Sequence, residues 1–363
     1  MKKIFLILVV CLLVNRTVNA QGCVAIRGAG GATCNMMDHM KNIDTSKWLF
    51  SANTRYFKSF RHFVGTVEQK QRQDLGTEVI NHTFSMDYGL TRILNKTWSV
   101  AINVPIVANT RSSLYEHGGT TRHETHSFGL GDIRVTGYAW LLDPAKHTNF
   151  NIQAGLGIKF ATGDYKYVDR FYTAAGTAGT TVLGPVDQSI QLGDGGTGFT
   201  TELNTYYAIN HNLNLYGNFY YLLSPREQNG VSTQRGGTPS AATIAYTSDV
   251  MSVPDQYLIR AGANYMANKF TFSGGVRFEC IPVNDLVGGS TGFRRPGKVL
   301  TVEPGITYTM NKLNIYAYVP VAVVRNRTQS VPDKIKTDIT GVYAQGDAAF
   351  ADYSVNVGFS IRF

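Results

Sequence analysis

Past its first twenty residues, the 363-residue chain has no apolar run long enough to cross a bilayer as a helix. Such a helix needs about 20 apolar residues, and every later window of that length holds charged or strongly polar side chains. Helical spacing finds no long amphipathic match either, so a helical bundle is excluded. Cysteine is scarce, at four residues, too few for a scaffold built on disulfides. No basic run is interleaved with aromatic residues, so the net charge of +9 does not point to nucleic acid.

The chain does begin with a recognisable address. Lys2 and Lys3 precede an apolar run from Ile4 to Val14, and Val18-Asn19-Ala20 ends in a small residue. Residues 1–20 read as a signal peptide cleaved after Ala20. Loss of Lys2, Lys3 and Arg16 lowers the formal charge from +9 to +6 and removes Cys11. The remaining positive charge suits attraction of anions or anionic lipid headgroups. Cys23 and Cys34 bracket the Gly-rich stretch "VAIRGAGGAT" and form a disulfide candidate in an exported chain. Two free thiols and a metal site are the alternatives, although a zinc site with His39 lacks an evident fourth ligand. A lipid anchor on Cys23 is disfavoured, because "NAQGC" has no Leu three residues before the Cys. Residues 21–47 are expected to be a periplasmic segment able to fold back as a plug.

From Trp48 onward the dominant pattern has a period of two. "FNIQAGLGIKF" sets Phe150, Ile152, Ala154, Leu156, Ile158 and Phe160 on one face, with Asn151, Gln153, Gly155, Gly157 and Lys159 on the other. "FTFSGGVRFEC", "LTVEPGITYTM" and the terminal "DYSVNVGFSIRF" repeat the device. Alternation of this kind marks strands with one apolar and one polar face. About twelve such segments are expected, near 48–63, 79–92, 98–110, 129–142, 149–162, 197–210, 213–224, 255–267, 270–283, 299–311, 313–326 and 349–363. Tight links such as Asn268-Lys269 and Asn311-Lys312 alternate with long ones, such as Gly163 to Gly196 and Pro225 to Pro254. Short turns at one end and long loops at the other describe an all-β, transmembrane, antiparallel up-and-down barrel with periplasmic turns and extracellular loops. A soluble β-sandwich is the alternative, but it would not sort its loops by length. An even strand number over 48–363 returns the chain to its starting side.

Parity then assigns the faces. The apolar set meets lipid, with Tyr88, Trp98, Tyr257, Tyr308 and Tyr353 near the interfaces. The inward charges are Arg55, Arg61, Asp87, Asp132, Arg134, Lys159, Glu202, Arg260, Arg277, Glu279, Glu303 and Arg362. These are candidate lumen-lining residues, against the alternative that they only cross-link the interior.

The end of the chain reads Asn356-x-Gly358-x-x-Ile361-x-Phe363. It resembles the C-terminal signal by which outer-membrane proteins are recognised for insertion, which implies a Gram-negative outer membrane. A further resemblance covers the middle of the chain. "GLGDIRVTGYAWL", "GLGIKFATGDY" and "LGDGGTGFTTEL" follow one another in the order seen in the outer-membrane family called the MetA pathway of phenol degradation. The matching positions are Gly129, Gly131 and Asp132, then Thr162, Gly163 and Asp164, then Gly193, Asp194 and Gly195. The family commonly has a proline before the second motif's Thr-Gly, where this chain has Ala161. The resemblance implies a transporter of hydrophobic or aromatic compounds and transfers no ligand residue. By themselves the motifs mark strand ends.

Little else suggests chemistry. "EHGGTTRHETH" supplies His117, His123 and His126 beside Glu116 and Glu124, but "HETH" is one residue short of the zincin spacing. Mobile loop histidines are therefore expected there. "LGDGGTG" lacks the P-loop lysine and reads as a turn. His82 falls on the lipid-facing parity beside Phe84. Outer-membrane phospholipase A also has twelve strands, but its His-Asp-Gly pattern is missing here. A catalytic site, a metal and a cofactor are thus not expected. The expected function is a pore or transporter for small hydrophobic or aromatic solutes. A structural or adhesion barrel acting through its outer loops and a lipid hydrolase are the alternatives. Expected partners are outer-membrane lipid, lipopolysaccharide, the barrel-assembly machinery and a small solute. The sequence leaves the oligomeric state open.

Overall fold

A computed structural model describes residues 47–172 and 180–363. The expected signal peptide, the 21–46 segment and the Cys23–Cys34 pair lie outside the described residues. Twelve antiparallel staves form the wall. They are β1 (Trp48–Val64), β2 (Ile80–Ile93), β3 (Trp98–Ser113), β4 (in two pieces, His123–Leu130 and Arg134–Trp140), β5 (Phe150–Lys159), β6 (Gly198–Ala208), β7 (Leu213–Leu223), β8 (Gln256–Ala267), β9 (Phe270–Ile281), β10 (Gly297–Met310), β11 (in two pieces, Leu313–Tyr318 and Val321–Arg327) and β12 (Ala348–Arg362). Each pairs with its neighbours in sequence, and β12 returns to β1 in a register running from Leu49↔Arg362 to Phe63↔Ala348. Trp48 and Phe363 exchange backbone hydrogen bonds of 3.1 Å each, which seals the seam to the last residue. Closure leaves no strand edge, as a wall without water to satisfy its backbone requires.

The alternation read from the sequence sets which side chains point where. On β5, Asn151 is fully buried while Leu156 is 70% exposed on the outer surface. Phe199, Ile259, Phe272, Val276 and Val357 are exposed likewise, whereas Thr200, Asn204, Arg277 and Asn356 are buried. The barrel thus has an apolar outside and a polar inside, the reverse of a soluble sandwich.

Two staves expected to be continuous are broken, and proline is the physical reason in both. Opposite the β4 break, between the pairs Ile106↔Leu130 and Asn103↔Arg134, lies Pro105, which has no N–H to offer the ladder. There Gly131 N donates to Pro105 O at 2.8 Å, and Ile133 N donates to Thr162 Oγ1 at 2.8 Å. In β11 the break falls at Val319-Pro320, where Val319 N reaches across to Pro304 O at 3.0 Å.

The tight links follow from local chemistry. Asn268 and Asn311 take φ of 54° and 45°, a left-handed turn conformation that asparagine tolerates. At the other end the connections carry structure of their own. Val168–Tyr172 pairs with Thr181–Pro185, and Gln228–Ser232 pairs with Val250–Ser252. The long link between β11 and β12 contains a ten-residue helix, Val331–Thr340. Its signal is local: Ser330 and Asp333 form a reciprocal capping box, proline follows the cap, and Gly341 stops the helix at φ 69°.

One outer connection folds inward. Val186 and Ile190 are fully buried, and Ile190 O accepts hydrogen bonds from Asn109 Nδ2 at 3.2 Å and Ser127 Oγ at 2.5 Å. This β5–β6 connection fills the outer mouth of the barrel.

Candidate functional site

Beneath the inward connection lies a cavity of about 110 Å³. Asp87, Arg134, Lys159 and Tyr220 line it from the wall, and Ser189, Gln191 and Asp194 cover it from the β5–β6 connection. Ser252, Pro254 and Arg294 complete it from two further connections.

Charged side chains cross the barrel at this depth. Arg260 and Arg277 stand directly opposite each other on β8 and β9. Two like charges so placed repel, and Glu303 of β10 answers both. Glu303 accepts from Arg260 Nη2 and lies 3.7 Å from Arg277 Nη1, while Glu279 pairs with Arg277 at 2.7 Å. Arg55 feels Asp87, Arg277 and Glu279, so the chain of charges continues onto β1. On the opposite wall Tyr138 donates to Glu202 at 3.0 Å, and Arg134 lies with its guanidinium carbon 5.6 Å from the Tyr220 ring centre.

A second cluster gathers the three Gly-Asp motifs. Lys159 Nζ donates to Asp132 Oδ2 at 3.0 Å, Asp194 Oδ1 at 2.5 Å and Gly196 O at 2.6 Å. Asp132 also receives Gly163 N at 3.0 Å, and Thr162 Oγ1 donates to Gly131 O at 2.9 Å. A Cβ on Gly163 would lie 2.8 Å from Gly193 N, and one on Gly193 would lie 2.5 Å from Asp132 Oδ1. The glycines are thus required by close approach of three chain segments. Expected only as strand ends, the motifs form one clasp that holds the inward connection to the wall.

The outer connections are tied by a third network that the sequence did not reveal. Asp187 receives both Arg295 terminal nitrogens at 2.7 Å each and lies 3.4 Å from Arg111 Nη2. Arg111 also pairs with Glu116 at 2.7 Å, and Glu116 in turn receives Arg235 at 2.7 Å. Four connections are joined through five side chains. A separate buried pair, Arg294 with Asp285, makes bonds of 2.8 and 2.6 Å. Apart from Arg111, which keeps the inward parity of β3, these residues have no period-two signature, and only the Arg294-Arg295 dipeptide stands out as charged.

Burial pushes the Asp187 carboxyl up, but the Arg111 and Arg295 guanidiniums more than offset it and hold it well below the usual range. Burial acts the same way on Glu116, and Arg111 again reverses the outcome. Lowered folded values mean stabilisation that is complete above the unfolded values, at about pH 4, and lost as pH falls through the folded ones. Amide hydrogen exchange in the outer connections, corrected for its intrinsic pH dependence, should therefore stay slow from pH 7 to about pH 5 and rise only below about pH 4. A rise already between pH 7 and about pH 5 would contradict this.

The sequence candidates fall as follows. Arg55, Arg134, Lys159, Arg260, Arg277, Glu303 and Arg362 are buried, and Asp87, Asp132, Glu202 and Glu279 are partly covered beside them. Asp132 sits in the β4 break, not within a continuous strand. Arg61 lies apart at the outer end, bonded to Glu68 and Asp352 at 2.6–2.7 Å. Asn356 is buried, while Ile361 and Phe363 face outward. Gly358 is fixed by space, since a Cβ there would lie 2.5 Å from Ala52 O and 2.6 Å from Tyr316. Cys280 is a buried free thiol.

The loop histidines differ from expectation. His117 is buried, its ring 5.4 Å from Phe171, and His123 stacks on Tyr172 at 3.8 Å. They are held because β3 and β4 run further outward than the alternation indicated, and the Val168–Tyr172 hairpin packs on them. Among the described residues no group of three or more His, Cys, Asp or Glu is placed to hold a metal. His82 accepts or donates a 2.7 Å bond with the Tyr56 hydroxyl on the outer surface.

Neither a family model nor a curated protein matches the chain. Solved structures do. An outer-membrane channel from Pseudomonas putida F1 matches with a TM-score of 0.55 at 8% identity, over 88% of this chain and 96% of that one. The translocator domain of the autotransporter NalP from Neisseria meningitidis matches at 0.43 and 13%, over 91% and 93%. The Ralstonia pickettii toluene transporter TbuX matches at 0.41 and 10%, over 90% and 93%. The first of these likenesses, low in identity and nearly complete in coverage, is one of fold: this chain shares the closed β-barrel of that outer-membrane channel.

Proposed function

We propose that the chain is an outer-membrane pore or transporter that passes small, hydrophobic or aromatic solutes through its barrel. The observation that carries the reading is the cavity inside a closed wall, polar and charged on its sides and covered by a connection that only a few side chains clasp. The fold shared with an outer-membrane channel supports it. In this reading the belt of Arg55, Arg260, Arg277, Glu279 and Glu303 lines the path, with Asp87, Arg134 and Glu202 on the other wall. Arg362 belongs to the periplasmic end, where it lies opposite Leu49. The apolar outer surface sits in lipid and lipopolysaccharide, and Asn356, Gly358, Ile361 and Phe363 address the chain to the barrel-assembly machinery. The protein acts by passage and not by catalysis.

Planar-bilayer recording and solute uptake into proteoliposomes test this directly. The purified chain should open discrete conductance steps, or admit a small aromatic solute faster than protein-free liposomes do. Protein that is folded, opens no channel and speeds no aromatic solute would overturn the reading.

A further inference from the structure

We propose that the covered cavity is a binding site for a small carboxylate with an apolar or aromatic body, held at Arg134. The inference rests on the pore reading and names the cargo class of the same cavity.

Buried groups of the cavity wall that can donate are left without an acceptor among the described residues. Arg134 Nη1, Arg294 Nε and Ser252 Oγ are buried and have no hydrogen-bond partner among the described residues. All three residues line the cavity, at 8%, 1% and 0% exposure respectively. Two of these groups are guanidinium N–H donors, and the third is a hydroxyl that can donate. A buried donor without an acceptor carries an unrecovered desolvation cost, larger when it is charged. A ligand that brings acceptors and negative charge removes that cost, whereas a hydrocarbon leaves it in place.

The wall's own carboxylates do not fill this role. Asp132 and Asp194 are engaged by Lys159 at 3.0 and 2.5 Å. Glu202 and Asp87 act on Arg134 electrostatically, and Asp87 acts on Arg55 as well, but neither carboxylate makes an ion pair within 4.0 Å among the described residues. Arg134 is braced from one side by Tyr220, whose ring centre lies 5.6 Å from the guanidinium carbon. The guanidinium is thereby oriented and still short of an acceptor. Planar guanidinium and carboxylate groups match in a two-point geometry.

The rest of the wall selects the body of the ligand. Pro105, Leu222, Pro254 and Ile281 supply apolar surface, and the Tyr220 ring adds an aromatic face. A charged head beside Arg134 and an apolar ring against these residues describe an amphiphilic acid of benzoate type, as pockets with few placed polar groups commonly do.

The test uses the full chain purified in detergent micelles, with benzoate as probe and neutral benzamide as control, read by titration calorimetry. The parent should bind benzoate about tenfold or more tightly than benzamide, the scale of one charged hydrogen bond. Arg134→Gln should weaken benzoate by about tenfold or more and abolish the preference, while Arg134→Lys should recover part of it because the charge remains. Heat-modifiable mobility reports whether each variant is folded. Should Arg134→Gln not fold, Ser252→Ala replaces it, with an expected loss of about threefold or more for benzoate. Equal binding of the two probes by the parent, no benzoate binding, or unchanged benzoate affinity in folded Arg134→Gln, or in Ser252→Ala where it stands in, would each overturn the inference. Because calorimetry needs no flux, the two readings fail separately. Benzoate binding by a protein that opens no pore removes the pore alone. Conductance with uptake of neutral aromatics but no benzoate binding removes the site alone.

Discussion

Replacing Lys159 with methionine is expected to lower the unfolding free energy of the barrel by about 3–5 kcal/mol, the cost of stranding buried charge. Lys159 is 5% exposed and is the cation for both Asp132 and Asp194. Methionine preserves the aliphatic stem and removes the three bonds to Asp132, Asp194 and Gly196. Two carboxylates are then left together without a counterion, where chain segments approach closely at Gly163 and Gly193. The effect should appear as a lower midpoint of urea unfolding in micelles at unchanged slope. Adding Asp132→Asn and Asp194→Asn to Lys159→Met should recover much of the loss, since no charge is then stranded. A Lys159→Met midpoint equal to the parent's would show that the clasp adds nothing to the fold. The same variant frees the inward connection, so exchange of the amides near Ile190 should rise with it.

Glu303→Gln is expected to have an effect of similar size, about 3–5 kcal/mol, and a second consequence in the channel. Glu303 is 4% exposed and is the shared counterion of Arg260 and Arg277, which face each other in register. Without its charge the two guanidiniums repel, and the remaining ion pair of this group is Glu279 with Arg277. Glutamine keeps the shape, so the loss reports charge and not a cavity. In the pore reading the interior becomes more positive by one charge at its middle. The reversal potential under a salt gradient should then move toward anion selectivity. Unfolding close to the parent's with an unmoved reversal potential would place Glu303 outside both the fold's charge balance and the path.

Lys159 and Glu303 show what alternation does and does not convey. Parity assigns both inward, because a strand offers only two faces and the neighbouring residues on the other face are apolar. What parity could not supply is the partner. Arg260 meets Glu303 across two strands, and Asp194 reaches Lys159 from a connection 35 residues away. Asp187, Glu116, Arg235 and Arg295 carry no period at all. Their pairing arises only because four connections converge over one mouth. The helix at Val331–Thr340 was locally legible through Ser330 and Asp333, yet it is too short for its periodicity to stand out against the strands.

By itself the sequence determined the class of fold: twelve alternating segments, asparagine turns at one end, long connections at the other and a terminal strand that closes on the first. These are local properties, because the side-chain period of two and the turn preference of Asn268 or Asn311 depend on near neighbours alone. The tertiary structure decided where the wall breaks, which connection turns inward, and which buried charges find partners. Those outcomes depend on distances between segments remote in sequence. Desolvation makes each of them consequential, since a charge in the barrel interior is costly until another segment brings its counterion.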